Sequence, residues 1–309
     1  MPPNPLKGLA TLVVDPYAAV AYWQRALRLP NPGEGSLPKA VAGKRVVVTG
    51  ASSGIGRSAA ERIAKAGGEV VLVARRRAQL EEVADGIAAE GGTAAVHTAD
   101  LSNPADVERV AEEILATHDG IDILVNNAGH SIRRWISDSY DRPRDFEITI
   151  NLNYLAPVRL VLAFLPGMRE RRHGHVVNIS TLGVLAGPPR FSAYLASKAA
   201  LDMFTRSIAS EVIGDGVHAT TIYMPLVRTP MIQPTRAYDN VPALSIDEAA
   251  RMITRAIVNR PREVTPLPGM ASRMMYPLAP KAADRLVGTV VRLLSDEEKE
   301  PLGGGAAEA

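Results

Sequence analysis

The chain has 309 residues, of which 46% are hydrophobic, so it can bury one substantial core as a single domain with extensions. Lys and Arg number 35 against 33 Asp and Glu, and a net charge of +2 gives no electrostatic reason to expect nucleic acid as a partner. The absence of cysteine excludes disulfides, thiolate metal sites and an acyl intermediate carried on an enzyme thiol. We therefore expect a small-molecule ligand and no metal site.

The first 41 residues are predicted to form an N-terminal extension that ends in a Pro- and Gly-rich linker, LPNPGEGSLP. The apolar run at residues 9–14 is too short for a signal peptide or a membrane span, which favours a cytoplasmic protein. Trp23 stands in YWQRALRL, a segment with helical apolar spacing. Packing of this segment on the chain's own domain is favoured over contact with a membrane or a partner.

Between residues 42 and 268, short β-branched runs alternate with long amphipathic stretches. This alternation predicts an α/β fold of the Rossmann type, with one doubly wound parallel sheet and right-handed crossovers. The predicted strands are KRVVVT at 44–49, GEVVLVA at 68–74, TAAVHTA at 93–99, DILVNN at 122–127, GHVVNIS at 174–180 and GVHATTIYM at 216–224.

A glycine-rich turn, TGASSGIGR, follows the first predicted strand and precedes a helix. Gly50, Gly54 and Gly56 would let the backbone approach a pyrophosphate, whose charge the amides at the helix N-terminus would stabilise. The spacing Gly-x-x-x-Gly-x-Gly in this context predicts a dinucleotide site, to which the turn also contributes Ser52, Ser53 and Ile55.

The second predicted strand ends in VLVARRR, with Ala74 where an NAD site would place a carboxylate for the ribose 2′-hydroxyl. Arg75 follows directly, and a guanidinium suits a 2′-phosphate by its charge and its bidentate geometry. The sequence therefore favours NADPH/NADP+ over the non-phosphorylated cofactor. Arg77 is interpreted as part of a solvated helix face, and the same reading stays open for Arg76.

The stretch PPRFSAYLASKAAL places Tyr194 and Lys198 four residues apart at the start of a helix-forming run. Residues at i and i+4 share one face of a helix, so the phenol and the ammonium would point into the same space. A phenol beside an ammonium is a tunable proton donor. A surface helix can carry the same spacing, so the meaning of the pair depends on the other motifs.

The motifs TGASSGIG, NNAG at 126–129, Asn151 and the Tyr194/Lys198 pair occur in this order, and the chain thereby resembles the short-chain dehydrogenase/reductase family over about residues 43–261. The resemblance implies that the NNAG segment stabilises the sheet beside the cofactor and that Asp100, after the third strand, holds the adenine. The cofactor contacts implied in these two segments are Asp100, Leu101, Asn127, Ala128 and Gly129.

The same resemblance implies a catalytic set of Asn151, Thr181, Tyr194 and Lys198. In it Tyr194 is the proton donor and Asn151 orders a water for proton relay. Lys198 holds the nicotinamide ribose and lowers the pKa of the phenol.

Two departures from the family pattern affect this assignment. The family's serine, thirteen residues before the tyrosine, is replaced by Thr181, which keeps a hydroxyl, and Ser180 is the alternative on the opposite face of the strand. Met224 and Pro225 stand where the family has Pro-Gly. The segment that contacts the nicotinamide carboxamide nevertheless keeps Val227 and Thr229.

Longer strings, among them NNAGHSIRR, NLNYLAPVRLVLAFLP and TIYMPLVRTPMIQPTRAYDNVPALSIDEAA, are similar to the bacterial fatty acyl-CoA reductases of this family. This similarity implies NADPH-dependent reduction of long-chain acyl-CoA thioesters to fatty aldehydes by direct hydride transfer. The expected substrate contacts are Thr181, Met224, Met231 and Ile232, with Leu244, Met270, Met274, Met275 and Leu278 as further apolar candidates. Ordinary core packing is the alternative for each apolar residue.

Arg133 and Arg134 are candidates for binding the phosphates of CoA, or else belong to a solvated turn.

Residues 269–309 are predicted to be a helical extension with a disordered GGGAAEA tail. Its amphipathic section at 279–294 is compatible with closing the pocket, pairing subunits or lying on a membrane. The family resemblance implies a homo-oligomer.

Two other functions remain. A generic NADPH-dependent carbonyl reductase or 3-oxoacyl reductase would use the same four catalytic residues. A non-catalytic NADP-binding protein is disfavoured because the catalytic set shows only the exchange of one hydroxyl side chain for another.

Overall fold

Seven parallel strands form one sheet in the computed structural model, which describes residues 36–232 and 243–266, together with residues 273, 280, 281, 284 and 285. The strands are β1 (Arg45–Thr49), β2 (Glu69–Ala74), β3 (Thr93–Thr98), β4 (Ile123–Asn126), β5 (Gly174–Thr181), β6 (Val217–Met224) and β7 (Glu263–Val264). Their spatial order is β3-β2-β1-β4-β5-β6-β7, which reverses direction between β1 and β4. In sheets of this kind, ligands bind at the carboxyl ends of the strands near such a reversal.

Helices cover both faces of the sheet. They are α1 (Leu37–Val41), α2 (Gly54–Lys65), α3 (Arg77–Ala89), α4 (Pro104–Thr117), α5 (Pro143–Ile150), α6 (Ala156–Glu170), α7 (Gly183–Ala186), α8 (Ser192–Val212) and α9 (Ile246–Asn259). Single turns of 3₁₀ helix occupy Ile136–Asp138 and Ile213–Asp215. Helices α1, α2, α3 and α9 pack on one face, and α4, α6 and α8 pack on the other.

The predicted fold class is confirmed, and the six predicted strands match observed strands to within a residue at either end. The seventh strand, β7, was not predicted because two residues are too short to show a periodic pattern. The expected domain start at residue 42 also differs from the structure, because Leu37 and Val41 are buried in the main core. Trp23, the linker and most of residues 269–309 lie outside the described residues.

The helix of 28 residues from Pro143 to Glu170 contains a π-helical stretch, Asn151–Leu155, between α5 and α6. By length and composition alone this helix could cross a membrane, as many core helices could. Its residues Leu160, Phe164 and Met168 are buried in the core against the sheet. π-Helical turns inside α-helices are rare and are often found at functional sites.

His175, near the start of β5, is buried with 1% of its surface exposed. Its Nε2 lies 2.8 Å from the Thr220 hydroxyl, and its Nδ1 has no hydrogen-bond partner among the described residues. Burial lowers the pKa of His175 to about 3, with smaller contributions from the positive charge of Arg260 and from His218. The folded protein therefore keeps this imidazole neutral at pH values at which the unfolded chain protonates it.

We expect the free energy of unfolding to fall as the pH drops from about 6.5 towards 3. In this interval His175 is protonated in the unfolded state but stays neutral in the folded state. The histidine contributes at most about 1.4 kcal/mol per pH unit in this interval. Urea unfolding of the unmodified protein and of His175→Asn, compared between pH 7.5 and 5, should show a shallower pH dependence in the variant. Equal slopes would contradict the assignment.

Candidate active site

The glycine-rich turn after β1 is shaped so that only glycine fits at key positions. Gly50 and Gly54 have φ values of +66° and +56°, in the left-handed region that favours glycine. A Cβ added to Gly56 would lie 2.4 Å from the Gly50 carbonyl oxygen and 2.6 Å from Asn127 Nδ2. The turn leads into α2, whose first amide groups face the carboxyl end of the sheet. This is a cradle in which a pyrophosphate fits.

The NNAG segment holds this turn in place from the neighbouring strand. Asn127 Nδ2 donates to the Thr49 carbonyl at 2.9 Å, and the amides of Asn127 and Ala128 donate to the Thr49 hydroxyl at 3.0 Å. A Cβ on Gly50 would lie only 3.0 Å from the Ala128 Cα atom. The structure therefore brings the two predicted cofactor segments into direct contact.

Asp100 and Leu101 follow β3 at the same end of the sheet. The Asp100 Oδ1 atom accepts from the Ser102 amide at 3.0 Å and from its hydroxyl at 2.7 Å, while Leu101 is buried. These bonds fix the turn after β3. The adenine contacts assigned to the two residues stay a prediction.

The three arginines after β2 have different surroundings. Arg76 Nη2 lies 3.3 Å from the hydroxyls of both Ser52 and Ser53, so this side chain borders the glycine-rich turn. Arg75 is exposed, and its positive charge adds to burial in lowering the pKa of His130. Arg77 pairs with Glu81 at 2.8 Å on the exposed face of α3. Arg77 thus belongs to a solvated helix face, whereas Arg76 joins Arg75 as a candidate for binding the 2′-phosphate.

Helix α8 places Tyr194 and Lys198 on one face, against the end of β5. Lys198 is 3% exposed, and its Nζ donates to the Ile179 carbonyl at 2.7 Å. The Thr181 hydroxyl lies close enough to the phenol to affect its pKa, and Thr181 Oγ1 accepts from the Gly183 amide at 3.2 Å. Three of the four predicted catalytic residues are therefore together.

Burial dominates the titration of both ionisable groups in this cluster. It raises the pKa of Tyr194 to about 12, against a smaller opposite effect of the hydrogen bond with Thr181. It lowers the pKa of Lys198 to about 8. The pKa of the phenol is thus set mainly by burial, and the lowering of this pKa by Lys198 stays a prediction. A protonated phenol at neutral pH still suits a proton donor.

Ser180, the alternative to Thr181, faces the other side of the sheet. It pairs across the sheet with Tyr223 and is 2% exposed, and its hydroxyl has no hydrogen-bond partner among the described residues. Successive residues in a strand point to opposite faces, which separates the two hydroxyls. The geometry therefore favours Thr181 as the hydroxyl beside the phenol.

Asn153, which the sequence analysis did not select, is fully buried inside the π-helical stretch. Its Nδ2 donates to the His130 carbonyl and to the Ser197 hydroxyl, both at 2.9 Å. Its Oδ1 accepts from the His130 amide at 2.8 Å. Asn153 thus ties the chain after the NNAG segment to α8.

The position of Gly129 shows that this asparagine also lies near the catalytic lysine. A Cβ on Gly129 would lie 3.2 Å from Asn153 Oδ1 and 3.3 Å from Lys198 Nζ. Asn151 is only half-buried, and its side chain makes no hydrogen bond to any residue of the described ranges. Two positions correspond to a rotation of about 200° around a helix, so the two asparagines face different directions. The structure thus brings Asn153 close to the lysine, and the water-ordering role assigned to Asn151 stays a prediction.

The segment after β6 folds back over the glycine-rich turn. Val227 forms a bridge with Leu244, and a Cβ on Gly54 would lie 3.8 Å from Thr229 Cγ2. Thr229 is therefore close to the phosphate cradle, as its predicted cofactor contact requires.

The predicted substrate residues do not form one lining. Met224 is buried in the main core, Ile232 packs on a small cluster with Leu182 and Leu226, and Met231 is 51% exposed. The core-packing alternative is the better description of Met224, and also of Leu244, which is in the same core. Met270, Met274, Met275 and Leu278 lie outside the described residues.

The loop after NNAG contacts the segment that precedes α8 and Tyr194. Arg134 donates from Nε to Asp145 at 2.7 Å and from its amide to the Arg190 carbonyl at 2.7 Å, so its role is structural. The Arg190 guanidinium stacks over the Trp135 ring at 4.8 Å. Arg133 is half-buried in the same loop, and its proposed contact with CoA stays a prediction.

Comparison with known proteins agrees with this geometry. Residues 44–240 match the family model described as short chain dehydrogenase. A fatty acyl-CoA reductase of Acinetobacter baylyi is 50% identical over 78% of this chain and 81% of its own length. A fatty acyl-CoA reductase of Mycobacterium tuberculosis is 45% identical over 81% of this chain and 85% of its own.

Among solved structures, a 3-oxoacyl (acyl-carrier-protein) reductase from Agrobacterium tumefaciens with NADP bound superposes with a TM-score of 0.66 and 29% identity. The superposition covers 73% of this chain and 90% of that one. The family match spans more than half of the chain and includes the glycine-rich turn, the NNAG segment and the Tyr194/Lys198 pair. The chain therefore belongs to the short-chain dehydrogenase family of oxidoreductases.

Proposed function

We propose that this oxidoreductase reduces long-chain fatty acyl-CoA thioesters to fatty aldehydes with NADPH. The observation that carries the reaction type is the juxtaposition of the Tyr194 and Thr181 hydroxyls with buried Lys198, at the end of the sheet that holds the phosphate cradle. The acyl-CoA substrate class rests on the similarity to fatty acyl-CoA reductases over more than three quarters of the chain.

The choice of NADPH rests on the residues that border the ribose end of the cradle. Ala74 offers no carboxylate to a 2′-hydroxyl, while Arg75 and Arg76 supply two guanidinium groups where β2 ends. Guanidinium groups bind phosphate oxygens through paired, charged hydrogen bonds. The NADP found in the 3-oxoacyl reductase structure supports the same choice.

Bound NADPH would supply a hydride to the thioester carbonyl carbon. The hydroxyls of Tyr194 and Thr181 would donate hydrogen bonds to the carbonyl oxygen as negative charge develops on it. Lys198, held by the Ile179 carbonyl, would position the ribose and stabilise the phenolate that remains after proton donation. The hydroxyl of the resulting hemithioacetal would then return its proton to the Tyr194 phenolate as the C–S bond breaks, which releases the CoA thiolate and leaves the aldehyde. No step needs an enzyme thiol, which agrees with a chain that has no cysteine.

The alternative is an NADPH-dependent carbonyl or 3-oxoacyl reductase. The bound-NADP neighbour from Agrobacterium tumefaciens favours it, and the same four side chains would serve.

We further propose that the protein is cytoplasmic and assembles into a homo-oligomer through α6 and α8, where Leu162 and Met203 are 61% and 65% exposed.

The first prediction of the proposed function concerns the substrate. Catalytic efficiency with acyl-CoAs should rise steeply with chain length, by at most about 0.8 kcal/mol of binding per buried methylene, until the apolar site is filled. Each turnover should oxidise one NADPH and release one thiol, measured as loss of NADPH absorbance and by a thiol-reactive dye added after quenching. NADPH oxidation by simple ketones with no thiol released from any acyl-CoA would instead establish the carbonyl reductase alternative.

A second prediction separates the two neighbouring hydroxyls. Thr181→Val should lower kcat by roughly 10²- to 10³-fold, because it removes a hydrogen-bond donor to the developing oxyanion. Ser180→Ala is the matched control and should retain activity within a few-fold, while Tyr194→Phe should nearly abolish turnover. Steady-state kinetics with a long-chain acyl-CoA checks all three. The reverse order for Thr181 and Ser180 would mean that the other face of β5 carries the reaction.

A third prediction separates the two asparagines. Asn153→Ala should reduce kcat by at least about tenfold and destabilise the fold by roughly 1–3 kcal/mol, because it leaves buried polar groups of His130 and Ser197 unpaired. Asn151→Ala should change the free energy of unfolding by less than about 0.5 kcal/mol and leave kcat nearly unchanged. Urea unfolding and kinetics on both variants provide the comparison. A greater loss of activity in Asn151→Ala would instead support the catalytic role that the sequence predicts for Asn151.

A further inference from the structure

A cavity of about 240 Å³ lies between α8 and the sheet edge formed by β6 and β7, away from the catalytic side chains. Its wall includes Thr221, three residues before Met224, and Met224 pairs across the sheet with catalytic Thr181. Three residues of strand span about 10 Å. The cavity is therefore separate from the cofactor cradle and from the Tyr194 site.

The two carboxylates in the wall of this cavity already have partners. Asp202 accepts from Arg206 Nη2 at 3.0 Å and from the Tyr223 hydroxyl at 2.7 Å. Both oxygens of Glu263 accept from Arg273 Nη1 at 2.9 Å. These contacts balance two of the three arginines that line the cavity.

Arg262 is the third arginine of the wall, and its charge is not balanced. It is exposed, and its Nη2 donates to the Arg206 backbone carbonyl at 2.8 Å. No carboxylate within the described ranges forms an ion pair with it. The lining of the cavity thus has one positive charge in excess and N–H groups on three guanidinium forks.

Thr221 adds a second, independent indication of a ligand. It is 2% exposed, and its hydroxyl lacks a hydrogen-bond partner among the described residues although the residue lines the cavity. A buried hydroxyl without a hydrogen-bond partner destabilises the folded state. A group with acceptor oxygens in the cavity would remove this cost.

We propose that this cavity is a binding site for a small oxyanion, the phosphate or carboxylate group of a small molecule. Arg262 supplies the unbalanced charge, and Thr221 donates its hydroxyl from the floor of the site. Asp202 in its wall stands one helical turn after Lys198 on α8. This assignment does not depend on which carbonyl compound the enzyme reduces.

Binding is tested on enzyme saturated with NADP+, so that the cofactor's own phosphate sites are filled. Inorganic phosphate and acetate are titrated by isothermal calorimetry at constant ionic strength set with sodium chloride. We expect saturable binding of at least one anion, and the tighter of the two identifies the ligand as a phosphate or a carboxylate. Arg262→Gln should weaken binding at least about tenfold, and Thr221→Val several-fold.

Lys65→Gln is the matched control, because Lys65 is an exposed cation of α2 on the opposite face of the sheet, paired with Glu90. It should bind the anion as the unmodified protein does. Arg262→Lys, which keeps the charge, should retain part of the affinity. Absence of saturable binding, or binding unchanged in Arg262→Gln, would overturn the proposal and mean that the cavity holds water. Loss of binding in Arg75→Gln but not in Arg262→Gln would overturn it too, because the anion would then occupy the cofactor site.

Discussion

The arrangement of the active site depends on keeping one ammonium group out of water. Lys198 is almost completely buried. Its Nζ donates a hydrogen bond to the Ile179 carbonyl at 2.7 Å, which replaces part of the hydration that burial removes. Burial of a cation is unfavourable unless hydrogen bonds and nearby dipoles replace its hydration shell. The lysine therefore requires that α8, the end of β5 and the chain at Gly129 keep their positions relative to one another. The same contacts fix Tyr194 one turn earlier on α8, next to Thr181.

Much of the fold and of the cofactor cradle could be predicted because their signals are local. The β-branched runs mark the strands. Gly50, Gly54 and Gly56 mark the turn after β1, where backbone segments approach too closely for a side chain. The shared face of Tyr194 and Lys198 follows from helical periodicity, whereas their chemical role required the other motifs. In each case a few consecutive residues contain the whole pattern.

The features that the sequence analysis missed depend on contacts between distant segments. Strand β7 and the packing of Leu37 and Val41 in the core are of this kind. The substrate residues were chosen for their chemistry, but residue type does not distinguish a tunnel wall from a core position such as that of Met224. One signal for Asn153 was present, because the buried face of α6 at Ala156 and Leu160 continues backwards to position 153 rather than to 151.

The π-helical stretch between α5 and α6 acts as a change of phase within one continuous helix. A π turn adds one residue to a helical turn, so the side chains that precede it are rotated by about 100° relative to those that follow. The helix can thus pack α5 against the start of α8 and α6 against the sheet without a break in its backbone. Asn153 lies at this change of phase, where the i→i−4 hydrogen-bond pattern is interrupted. The irregular turn therefore lets a helix that serves as a core element also bring an amide side chain to the buried lysine.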